Sequence, residues 1–333
     1  MEHSPIFVAG ISRCGKTMIR SFLDSHPHIA ISGIGAWPYF YGRFGDLSRR
    51  DNFEHCLREM LSDRPQRFLK LNPERIRRSF WQGEPSYARL FQLFQEEYAR
   101  CAGKSRWGDA AELMERYADL IFAAYPTAKM IHMVRDPRDR YAASMDRWQG
   151  GRGGAGGAVA VWLYSIRLAQ RNQARYPDRY KVVRYETLVT RPQETLRELC
   201  QFLGEEYGPG IAVAGGGQGF RRRYQPEQPD GDAETSFITA RYVGCFSERL
   251  HAYDIAFIQD CARRSMAAYG YDPAPIRFSP HERLVYAMIR WPANLARLLL
   301  WYGTALSAPG RLIRTAGRFR QNMHTAQSSS ARM

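Results

Sequence analysis

Gly10 to Thr17 reads GISRCGKT, and these eight residues with their flanks constrain the fold more than any other feature of the chain. Ahead of them, Ile6 to Ala9 is a short run of strand formers; behind them, Met18, Ile19, Phe22 and Leu23 fall at helical spacing. Strand, glycine loop and helix in that order aim backbone N–H groups and the positive end of a helix dipole at one point, which suits an anion. The match to the phosphate-loop pattern GxxxxGK[ST] is letter for letter. Lys16 and Thr17 are therefore expected on phosphate oxygens. The helix should stop near His26, because Pro27 disfavours helical geometry in the residue before it, and Ile29 to Ser32 can form a second strand.

The same alternation continues downstream. A helical pattern in LMERYADLIFAAY precedes a strand, KMIHMV, and a helix that Asp136 would cap with Pro137 at its first position. A helix from about Val159 to Arg175 leads to the strand YKVVRY, and PQETLRELCQFLG is a helix with Pro192 inside its start and Gly204 past its end. A further helix would be capped by Asp254 and closed by Gly270. Strands alternating with helices predict an α/β fold, a P-loop-type parallel sheet flanked by helices on both faces, with ligands at the strands' carboxyl ends. Between these elements, GGRGGAGGA from Gly150 reads as a lid or a plain flexible linker, and Gly215 to Asp232 as a mobile basic loop.

Composition narrows the class. A chain of 333 residues with 44% apolar content can bury a full core, and no segment offers a signal peptide or 18 uncharged apolar residues, so a cytoplasmic protein is expected. The six cysteines show no CxxC pair and read as reduced thiols. A net charge of +15 calls for anionic partners, yet only five of the basic residues are lysine, so codon bias explains the arginines as well as function does. Nucleic acid is the weakest candidate, since no aromatic-basic stacking motif is present.

Arg13 is unusual for a nucleoside triphosphatase. FVAGISRCGKTMIRSFLDSHP resembles the 5′-phosphosulfate loop of the sulfotransferase superfamily, Golgi-type and bacterial members, with Arg13, Gly15, Thr17, Arg20, Leu23, His26 and Pro27 in register; Cys14 stands for the usual serine and Lys16 for a threonine. KMIHMVRDPRDRYAASM is similar to the family's 3′-phosphate site, and RYPDRYKVVRYETLVTRPQETLRELCQFLG and ARYVGCFSERL resemble later blocks. The resemblance covers about Pro5 to Pro273. It implies a domain over 1–273 that binds 3′-phosphoadenosine 5′-phosphosulfate (PAPS) through Ser12, Arg13, Cys14, Gly15, Lys16, Thr17, Arg135, Ser144, Tyr185, Arg241 and Gly244, with transfer of the sulfuryl group to an acceptor hydroxyl on a carbohydrate, lipid or small molecule. Arg13 and Lys16 would meet the charge that builds on the bridging oxygen, with no catalytic metal.

Several family groups are displaced or absent. Ser144 lies nine residues after Arg135 where the family serine lies eight after, and one position is a rotation of about 100°. Either the helix starts one residue differently or the clamp lacks its hydroxyl. Ile34, Gly35 and Ala36 occupy the place of the family's glutamate base, and Ala110 that of its lysine. Asp109 is the nearest carboxylate and the candidate base, with Glu112 behind it; a helix N-cap is the other reading of Asp109. His132, within a strand, reads as structural. The chain is thus expected to be a sulfotransferase, with donor binding more firmly supported than turnover and a catalytically weakened member left open. An ATP-dependent P-loop kinase or NTPase is the alternative, with Asp136 a poor magnesium ligand, and a non-catalytic nucleotide binder is the third reading.

Pro273, Pro275 and Pro280 mark a linker to a basic helical extension over 274–320, followed by a disordered tail over 321–333. Arg283, Arg290 and Arg297 recur every seven residues beside Leu284, Met288, Trp291, Leu295, Leu298 and Trp301. That pattern fits a helix peripheral on the inner membrane surface, or one packed on the main domain with its arginines solvated. Pro292 is expected to kink or split it.

Overall fold

The computed structural model describes residues 4–32, 36–62, 71–145, 153–208 and 239–307. The expected mobile loop at Gly215 to Asp232 and the tail over 321–333 lie outside them, as do Ile34 and Gly35. Contacts divide the chain into two units, one of 1–135 with 165–245 and one of 136–164 with 246–333, a grouping that puts no boundary at 273.

The first unit holds a five-stranded sheet ordered β2-β3-β1-β4-β5, all parallel, from β1 (Ile6–Ala9), β2 (Ile29–Ile31), β3 (Arg106–Ala110), β4 (Lys129–Val134) and β5 (Tyr180–Arg184). Helices surround it, so the predicted α/β class holds. β1 is central and fully buried, its Ile6, Phe7 and Val8 solvent-free, as a strand covered on both faces must be. On one face Phe7 meets Trp107 edge-on with ring centroids 5.8 Å apart and joins Phe91, Trp37 and Tyr125 in an aromatic core. Burying Phe7 alone contributes roughly 1.5–3 kcal/mol.

Local signals set several ends as expected. Helix α1 (Lys16–Ser25) stops at His26, whose extended backbone (φ −67°, ψ 138°) obeys Pro27. The helix Pro192–Leu203 ends on Gly204 at φ 77°, and Asp136 caps the helix Pro137–Met145 by accepting from the Arg138 N–H at 2.8 Å.

Other expectations change. Strand β3 was not foreseen, because RWGDA has no alternating apolar pattern; its Arg106 is buried and bonds the Ser4 and Leu203 carbonyls and Glu205. The helix expected from Val159 begins at Gly154. Gly154 to Gly157 are therefore helical, and in the second unit a Cβ on Gly156 would stand 1.9 Å from the Asn294 carbonyl oxygen. These glycines let two helices approach rather than forming a lid. The helix Ala252–Ala268 is capped by His251, whose ring accepts from the Tyr253 N–H, not by Asp254. The linker is tied down as well: Gln259 exchanges hydrogen bonds with both the N–H and the carbonyl of Ala274.

Candidate anion-binding site

Gly10, Arg13 and Gly15 all have positive φ (123°, 66° and 98°), so the loop between β1 and α1 curls tightly. Arg13 is one of two non-glycine residues with positive φ among those described, a conformation that costs of order 1–3 kcal/mol and persists only where surroundings impose it. Arg13 and Thr17 are exposed, Ser12, Gly15 and Lys16 half-buried, and Cys14 buried beneath the loop. Burial pushes the Cys14 thiol up against the opposing pull of nearby Lys16. Lys16 Nζ donates to the Ile11 carbonyl at 2.7 Å, closing the loop on itself.

Arg135 ends β4 beside this loop. Its guanidinium donates to the Arg13 carbonyl at 3.2 Å and to the Tyr242 carbonyl at 2.8 Å, and lies 4.3 Å over the Tyr185 ring. Tyr185 also walls the loop, since a Cβ on Gly15 would fall 2.8 Å from its ring. The short turn Ala240–Tyr242 brings exposed Arg241 and, at φ 78°, Gly244 into the same segment. Loop, Arg135, Tyr185 and the 240–244 segment, drawn from four parts of the chain, thus converge. Ser144 belongs to the second unit, where its buried hydroxyl donates to the Tyr141 carbonyl at 2.7 Å.

Asp109 is a fully buried strand residue level with Phe7, so the helix-cap reading fails. Its Oδ1 accepts from the Ser32 hydroxyl at 3.2 Å and the Ala110 N–H at 2.9 Å. Glu112 is exposed.

One functional group carried no sequence signal. Glu115, fully buried, accepts from the Gly10 N–H at 2.9 Å and from the Ser165 hydroxyl at 2.5 Å. Ser165 has spent its single hydrogen there, so His132 Nε2 donates to it (3.0 Å), while His132 Nδ1 pairs with the Tyr180 hydroxyl (2.6 Å). Burial lowers the imidazole pKa below the ordinary value in spite of Glu115. His132 is structural, as expected, and the structure it serves is the root of the loop.

Two other places in the first unit gather polar groups or open space. His26, His28 and Glu205 cluster within 4.8 Å, but His26 gives Nε2–H to the Glu206 carbonyl and Nδ1 to the His28 N–H, while Arg106 holds Glu205 at 2.8 Å. Those commitments make a staple rather than a metal centre. An open cavity of about 370 Å³ is lined by Trp37, Tyr41, Leu47 and Tyr87 together with Asp46 and Ser86, a mixed wall with no arginine or lysine to meet an anion.

Fold and site together define an α/β protein with an all-parallel five-stranded sheet and a glycine loop, between its central strand and first helix, that Arg135 backs. The model of the sulfotransferase family matches residues 5–209, well over half of the chain, and the protein belongs to that family. No curated protein matches the sequence significantly. Solved structures similar to it include the sulfotransferase domain of the Synechococcus PCC 7002 olefin synthase (19% identity, 85% of this chain and 94% of that one, TM-score 0.42). The sulfotransferase domain from the curacin biosynthetic pathway (16%, 86% and 98%, 0.43) and a Mycobacterium avium sulfotransferase (13%, 82% and 78%, 0.44) are also similar.

Proposed function

We propose that the protein moves a sulfuryl group from PAPS to an acceptor hydroxyl. The observation that carries this reading is the linkage of Arg135 to the Arg13 carbonyl and the Tyr185 ring, which sets a guanidinium beside the amide cradle of Gly10–Thr17. The cradle would receive the 5′-phosphosulfate and Arg135, with Arg241, the 3′-phosphate. Arg–phosphate contacts are charge-assisted and fork-shaped, which a nucleotide bisphosphate exploits at two points at once.

In the reaction the bond between sulfur and the bridging oxygen breaks, a bond from sulfur to the acceptor oxygen forms, and the acceptor's proton leaves. Charge grows on the bridging oxygen. Lys16 uses one of its three N–H donors on Ile11, leaving two for that oxygen, and Arg13 supplies a second cation. Asp109 remains the proposed proton acceptor, held in place by the hydrogen bonds it accepts from the Ser32 hydroxyl and the Ala110 N–H.

The kinase alternative is not favoured. Asp136, its nearest magnesium ligand, is bound by the Arg138 guanidinium at 3.0 and 2.7 Å besides capping its helix. Calorimetry decides between donors: 3′-phosphoadenosine 5′-phosphate should bind without metal and ATP with magnesium should not displace it. Tighter binding of ATP would overturn the reading.

A further inference from the structure

From Arg283 to the C-terminus the chain contains eight arginines and no aspartate or glutamate. Within this stretch residues 280–307 form one unbroken helical rod: a capped α-helical start (Pro280–Val285), a π-helical turn (Tyr286–Arg290) and a long α-helix (Trp291–Ser307). At 1.5 Å per residue the rod is about 42 Å long. Pro292 does not split it, since helix continues on both sides. A proline removes one backbone donor and crowds the carbonyl four residues earlier, and the wider π turn just before Pro292 absorbs both.

The rod has two faces of opposite fate. One is packed within the second unit: Asn294 and Ala305 are buried, Asn294 accepts from the Gly156 N–H, Trp291 meets Phe257 and Trp301 meets Tyr164. The other is exposed and apolar. Leu284, Met288, Ile289, Leu299 and Leu300 are 62, 69, 60, 59 and 69% exposed. With Pro292, Ala293 and Ala296 between them, they recur at intervals of three, four and seven and so follow one stripe. No charged residue interrupts the stripe; exposed Arg283, Arg290 and Arg297, spaced by seven, follow one side of it, Arg290 lying 5.8 Å over the Tyr253 ring and Arg297 donating to Asn294 Oδ1 at 3.3 Å. The acids facing this helix are Glu282 in its first turn, Asp260 under the Tyr286 hydroxyl, and Asp254, which sits near Arg290 and Arg297. All three are at the packed side or the capped end.

Five large apolar side chains more than half exposed in one row are out of keeping with a solvated face. A second copy docking antiparallel through the same stripe would set this row of arginines against its own equivalents with no acid to meet them. The occupant has to be apolar in depth and anionic at its margin. We propose that this stripe docks the protein on an anionic phospholipid surface, the rod lying in the interface with Leu284, Met288, Ile289, Leu299 and Leu300 inserted and its arginines at the headgroups. Among the described residues, no helix is long and apolar enough to cross a membrane. The inference does not depend on the proposed reaction, because its readout is binding to lipid.

The test is co-sedimentation of the full chain with phosphatidylcholine vesicles and with vesicles containing phosphatidylglycerol as well. Binding is expected to the mixed vesicles only, and to weaken with salt. The pair Leu299→Glu and Leu300→Glu should lower it by about tenfold or more, and Arg290→Gln by about fivefold. These side chains are exposed, so circular dichroism of the variants should match the parent. As a check independent of any folding defect, Met288→Cys labelled with an environment-sensitive dye should shift to the blue on mixed vesicles. Equal binding to both vesicle types, unchanged binding by the double variant, no dye shift, or a dimer in light scattering that the double variant dissolves would each overturn the proposal.

Discussion

The Gly10 N–H donates to Oε2 of Glu115 at 2.9 Å across 105 residues of chain, so a buried carboxylate far along the sequence fixes the first turn of the anion loop. Two buried donors, Gly10 N–H and Ser165 O–H, depend on it. Glu115→Ala leaves both unmatched and should cost about 2–4 kcal/mol. Glu115→Gln keeps an acceptor and should cost less. Urea unfolding of both variants checks the order.

His132 gives a pH signature. Its folded pKa is lowered from 6.5, chiefly by burial, with Lys16 adding to the fall and Glu115 opposing it. The unfolded chain therefore takes up a proton first as pH falls. The stability this contributes is fully present above pH 6.5 and drains away as pH drops from there toward the depressed folded value. His132→Gln should flatten the profile in that window, as read by urea unfolding between neutral and mildly acidic pH.

Gly15 is doubly committed, by φ 98° and by the Tyr185 ring 2.8 Å from where a Cβ would stand. Gly15→Ala should cost about 1–3 kcal/mol and weaken adenosine bisphosphate binding about tenfold. Gly204→Ala is the control: φ is 77° with nothing near the added methyl, so stability should fall while binding stays. Unfolding and calorimetry on the same samples separate the two.

Arg135→Lys keeps the charge but loses the fork that reaches Arg13 and Tyr242 and the stack on Tyr185. Bisphosphate affinity should fall by about tenfold or more in calorimetry. A lysine as good as the arginine would show that charge alone is needed.

Gly156→Ala forces a methyl to within 1.9 Å of the Asn294 carbonyl oxygen, which backbone cannot cheaply yield. A loss of about 1–3 kcal/mol is expected from overpacking, measured by thermal unfolding.

The features legible in the sequence were those whose cause is local. Strand β1, the loop Gly10–Thr17 and helix α1 follow from neighbouring residues: β formers, glycines able to take positive φ, apolar spacing, then Pro27. Pro192 and Gly204 bracket their helix for the same reason. The loop residues are named from type and spacing, and Arg135 from the resemblance of its segment to the sulfotransferase family; the structure brings them together.

What only the tertiary structure decided is what long-range contact pays for. RWGDA becomes the strand β3 because β1 and β2 accept it on either side and because buried Arg106 finds Ser4, Leu203 and Glu205. Glycines at 154–157 become helix because Asn294 comes close. Glu115 becomes the anchor of Gly10, and Asp109 a buried strand carboxylate rather than a cap, through partners many residues away. None of these partners is a neighbour in sequence, so no local propensity or periodicity could announce them; burial and hydrogen-bond satisfaction across the folded chain selected them.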